Sequence, residues 1–102
     1  MPNAVTATVS SAADTFTPGI SPRYQNPSCR LNVSIDDDSV WSGTIRLQRK
    51  LSGMTTWEDV ETYTDGVQEF IEDHSPGTLY RMGSYAADWT AGEARLRLAK
   101  QK

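Results

Sequence analysis

The chain reads as all-β: a single antiparallel β-sandwich of about seven strands behind an extended N-terminal arm. Three observations predict this. Apolar residues alternate with polar ones in several short runs, the pattern of a strand covered on one face. Turn residues separate every pair of runs. No segment sustains a 3.6-residue apolar period, so no long helix is expected.

The arm is expected over residues 1–29. Its only charged residues are Asp14 and Arg23, it holds four of the chain's five prolines, and 15 of its 29 residues are Ser, Thr, Pro, Gly or Asn. Such a composition buries little and fixes few backbone hydrogen bonds. One short strand fits at Ala4–Val9, where Val5 and Val9 stand among threonines. The rest is expected to lie extended along a neighbouring molecule, with Phe16, Ile20 and Tyr24 as its apolar anchors. The alternative is a free terminus carrying one edge strand.

The sandwich is expected over residues 30–102. Leu31, Val33 and Ile35 alternate with Asn32 and Ser34. Ile45 and Leu47 alternate with Thr44, Arg46 and Gln48. Segments 57–63, 67–72 and 79–86 are rich in Val, Thr, Tyr and Trp, residues that fit a pleated, half-buried surface. Ala94, Leu96 and Leu98 alternate with Arg95 and Arg97 in the last strand. Asp65–Gly66 reads as a tight hairpin turn with positive φ at the glycine. Ser75–Pro76–Gly77 marks another turn.

Composition bounds the function. At 102 residues the chain is one domain's length. A net charge of −3 argues against a dedicated nucleic-acid binder, and no apolar run approaches a membrane span or the core of a signal peptide. One cysteine, Cys29, allows neither an internal disulfide nor a Cys-based zinc site. The one histidine, His74, sits in an expected turn and reads as solvated. The run Asp36–Asp38 lacks the alternating ligand spacing of a calcium loop. No catalytic, metal or cofactor residue is expected.

Charge is uneven along the chain. Residues 58–73 hold seven acids and no Lys or Arg, whereas Arg95, Arg97, Lys100 and Lys102 crowd the last ten residues. Opposite charges at two ends suit head-to-tail contacts between copies, so a homo-oligomer is expected. Trp41 and Trp89 both read as loop residues, placed either to stack on a ligand or to cap the open ends of the sandwich.

Two resemblances sharpen this reading. Residues 76–80 (PGTLY), with alternation continuing to Ala86, resemble the corner before the sixth strand of fibronectin type III domains. There a tyrosine, here Tyr80, bonds back to backbone. The leucine usual before that turn is missing, and jelly rolls share the composition. Residues 31–35 (LNVSI), 41–49 (WSGTIRLQR), 56–60 (TWEDV), 76–81 (PGTLYR) and 90–98 (TAGEARLRL) resemble, in that order, small structural proteins of tailed phages. The loop 52–57 lacks the aspartate of an Asp-box. The resemblance implies a virion component without enzymatic activity or cofactor. It would be a capsid decoration or head–tail protein whose partner is the major capsid protein or another virion protein. The alternative is a tail or fibre module that binds host carbohydrate, or another tail protein, through Trp41 and Trp89.

Overall fold

The computed structural model describes residues 4–22, 30–36, 40–73 and 77–101. Tyr24, Cys29, Asp37, Asp38, His74 and Pro76 therefore lie outside the described residues. The protein is all-β, with antiparallel sheets and a single 3₁₀ turn at Ala86–Asp88 among the described residues.

The first sheet joins β1 (Ala4–Val9), β10 (Ala94–Gln101), β3 (Arg30–Ile35) and β7 (Val67–Glu72), in that order. The second joins β2 (Thr15–Phe16), β8 (Leu79–Ser84), β5 (Ile45–Lys50) and β6 (Glu58–Tyr63). A two-stranded ribbon pairs β4 (Trp41–Gly43) with β9 (Trp89–Gly92). The alternation seen in the sequence sets the faces. Val5, Val9, Leu31, Val33, Ile35, Leu96 and Leu98 from the first sheet meet Ile45, Leu47, Tyr63, Tyr80 and Met82 from the second in one buried cluster. Burial of these side chains is the main favourable term holding the sheets together.

Three expectations need correction. Ala4–Val9 forms the strand expected there, but the rest of the described N-terminal segment lies against its own chain rather than along a neighbour. β1 pairs with β10 over six residues, from Ala4↔Ala99 to Val9↔Ala94. β2 pairs with β8, and Ile20 and Tyr80 exchange two backbone hydrogen bonds. Thr17 both donates its N–H to the Met82 carbonyl and accepts the Met82 N–H on its hydroxyl. Low apolar content misleads here because a few well-spaced residues suffice: Val5, Val9 and Ile20 all reach the core. Residues 4–22 and the strands from Arg30 onward thus share one core, with no domain boundary between them among the described residues.

Asp65–Gly66 is not a hairpin turn. β6 lies at the edge of the second sheet and β7 at the edge of the first, so the chain changes sheets here, and Gly66 does not have a positive φ. Tyr63 points into the core beside its partner Ile45, and its hydroxyl donates to Glu69 on β7, which fixes the corner.

The last strand also departs from the fibronectin-like arrangement, in which it pairs with the strand that carries the corner tyrosine. Here β10 lies between β1 and β3, while β8 is flanked by β2 and β5. Tyr80 does lock the fold, through a side-chain acceptor: its hydroxyl donates to Asp73 Oδ2 at 2.7 Å.

Candidate interaction surface

The outer face of the second sheet is occupied by its own side chains. Arg81 on β8 lies between two rings, 4.1 Å from the Phe16 centroid and 4.6 Å from that of Trp57. Its Nε donates to Gln48 Oε1 at 2.8 Å. Gln48 in turn donates to Asp59 Oδ1 and Tyr85 Oη, both at 2.9 Å. Arg46 donates to Asp88 through Nε at 2.7 Å and to Asp59 through Nη1. Hydrogen bonds to Asp88 and then Asp59 raise the Arg46 pKa further, and the Arg46 guanidinium holds the Asp88 carboxyl below its ordinary range. These carboxylates tie β5, β6 and the 3₁₀ turn together.

Trp41 and Trp89 are brought together at one end of the fold, on β4 and β9. Their rings stack at 5.4 Å with 15° between the planes. Trp89 is a strand residue rather than a loop residue and is only 5% exposed. Its Nε1 is buried without a hydrogen-bond partner among the described residues. A sugar ring could therefore reach Trp41 but not the Trp89 face. Trp41 remains half-exposed over the buried Trp89.

Ile20 is turned into the core, whereas Phe16 is half-buried on the outer face of the second sheet, packed against its own chain. Phe16 packs edge-on against Tyr85, with ring centroids 4.9 Å apart, as well as under Arg81. Ile20 is 4% exposed and belongs to the core.

Arg95 and Arg97 remain on the surface. Two residues apart on β10, they project from the outer face of the first sheet, opposite Thr8 and Thr6 of β1. Ser34 stands across from Arg97 on β3. Together with Asp36, these side chains line an open groove of about 330 Å³. Arg95 forms ion pairs with Asp36 at 3.4 Å and Glu93 at 3.5 Å. Arg97 forms no ion pair among the described residues. Sequence reading missed the threonines and Ser34, because nothing short of the strand order reveals which polar faces lie beside Arg95 and Arg97.

The opposite flank is acidic. β6 and β7 are both edge strands, and with the turn between them they carry Glu58, Asp59, Glu61, Asp65 and Glu72. Glu58, Glu61 and Asp65 form no ion pair among the described residues. Among the described residues, no group of three His, Cys, Asp or Glu side chains is arranged to hold a metal ion.

No protein-family model matches the chain, and no curated protein or solved structure is significantly similar to it.

Proposed function

We propose that the protein is a non-enzymatic structural component of a tailed-phage virion, a β-sandwich that decorates or cements the capsid. The observation that carries this reading is the strip formed by Arg95 and Arg97. It is open and lined by small hydroxyl side chains, and Arg97 forms no ion pair among the described residues. Such an open strip does not enclose a small molecule. It suits contact with another surface, where an exposed cation adds selectivity and encounter rate. Carboxylates gathered on the opposite flank give repeated neighbours a complementary charge. The order of short motifs along residues 31–98 supports the virion assignment. The partner is the major capsid protein or another virion protein.

Virion incorporation tests this directly. A phage lacking the gene is complemented with wild-type protein or with the Arg95→Glu/Arg97→Glu variant, and purified particles are assayed for the protein. Incorporation of wild type and loss of the variant are expected. Equal incorporation of both would refute the role given to the strip.

A further inference from the structure

The four edges of the two four-stranded sheets are built differently, and the difference points to a binding mode. An edge strand presents unpaired N–H and C=O groups, and proteins blunt such edges with charges, bulges, inward-pointing ionised residues or short strands. Three edges here are blunted. β2 has only two residues. β6 carries Glu58, Asp59 and Glu61, with Glu61 paired in register to the core residue Leu47 and a bulge in the ladder at Leu47/Gln48. β7 places Glu69 opposite the core residue Val33, so this carboxylate points inward. β1 has none of these devices. Its six residues, Ala4–Val9, include no charge and no proline, its register with β10 is unbroken, and its far side makes no backbone hydrogen bond among the described residues.

We infer that β1 is a strand-addition site, and that its occupant is an extended acidic segment of another protein. A strand laid against β1 would gain main-chain hydrogen bonds along the free edge. Its outward side chains would lie about 10 Å from the β10 row, two strand spacings away. Only the short Thr6 and Thr8 stand between. Carboxylates at alternate positions of the added strand can therefore reach across the threonines to Arg97 and Arg95. Arg97 is the principal anchor, because Arg95 already faces Asp36 and Glu93.

The same charges exclude a second copy as occupant. Pairing β1 with β1 of another molecule would bring two Arg95–Arg97 pairs onto one face. The acidic edges β6 and β7 are the blunted ones. This inference rests on reading the Arg95–Arg97 strip as a contact surface, but not on the virion assignment.

The test uses the full chain and three fluorescein-labelled peptides: a heptapeptide of alternating Glu and Val, its Lys/Val counterpart, and the Glu/Val peptide N-methylated at alternate residues. Anisotropy reports binding, and amide hydrogen exchange reports protection at residues 4–9. The Glu/Val peptide is expected to bind, to slow exchange in β1, and to lose roughly tenfold in affinity with Arg97→Glu or Arg97→Gln. The other two peptides are expected to fail. Equal binding by the N-methylated peptide would overturn strand addition and leave the strip as a contact surface. Failure of all three would overturn the inference and the reading of the strip together. Dimerisation with protection of β1 would overturn the choice of occupant.

Discussion

Replacing Tyr80 with Phe removes one oxygen atom from the best-defined polar lock in the fold. Tyr80 is 3% exposed, and its hydroxyl donates to Asp73 Oδ2 at 2.7 Å. The Asp73 side chain is itself only 7% exposed and has Arg49 at 3.5 Å. A hydrogen bond to a charged, buried acceptor contributes about 1.5–3 kcal/mol, and its loss leaves Asp73 less well solvated. The titration of the phenol gives a similar scale. Burial, and then the bond to Asp73, push the Tyr80 pKa from 10.0 up to about 12. That displacement is a preference of roughly 3 kcal/mol for the neutral form in the folded protein. A raised folded-state pKa contributes stability that is fully present below pH 10 and is lost as pH rises through about 12. Urea denaturation of wild type and Tyr80→Phe is the assay. A difference of about 2 kcal/mol is expected at pH 7. This difference should shrink between pH 10 and 12, because only the wild type has a phenol to ionise at this position. A difference below about 0.5 kcal/mol at pH 7, or one that stays constant to pH 12, would show that the Tyr80–Asp73 bond does not hold the fold in this way.

Three further outcomes are expected. Asp88→Asn removes one of the two carboxylate charges facing Arg46 and should cost about 1–2 kcal/mol at pH 7. Because Asp88 has a lowered folded-state pKa, its contribution is present above the ordinary value of 3.8 and lost as pH falls through the folded-state value; the gap between wild type and variant should therefore close in acid titrations of stability. Gly83→Ala puts a Cβ into the Thr15 carbonyl and the Phe16 backbone, so β2 should detach from β8 at a cost of about 2 kcal/mol, seen as faster exchange of the Thr17 amide. Leu98→Ala empties a fully buried position between the sheets and should cost about 2–5 kcal/mol in equilibrium denaturation, with no change in peptide binding at β1.

The strands whose faces differ most in polarity were legible in the sequence. Leu31, Val33 and Ile35, Ile45 and Leu47, and Leu96 and Leu98 all reach the core where their alternation puts them. Short or atypical strands were not. β2 has two residues, too few for any period to register, and it is held by backbone pairing and Thr17. β4 and β9 were hidden because Gly43 and Gly92 interrupt their pattern. At Gly92, where φ is +93°, a side chain would strike the Val40 carbonyl, so the close approach of the two strands needs glycine. Sheet membership was also invisible. Asp65–Gly66 has the chemistry of a hairpin, yet the inward-facing Tyr63 carries the chain to the other sheet.

The candidate surface was legible to the same degree. Arg95 and Arg97 could be placed on a polar strand face because they alternate with buried leucines. That β1 lies beside them, with an unblunted edge, follows from long-range pairing between residues 4–9 and 94–99, which no local pattern encodes. Ile20 reads as an exposed anchor only while its bridge to Tyr80 is unknown. Trp89 reads as a platform only while Trp41 is not seen stacked on it.

The proposed virion role requires the protein to be a repeated part of the particle. The measurement is its copy number in purified particles, by quantitative mass spectrometry against the major capsid protein. A fixed ratio to the capsid protein, retained through density-gradient purification, is the predicted result. Absence from particles, with the protein recovered only in the soluble lysate, would contradict it.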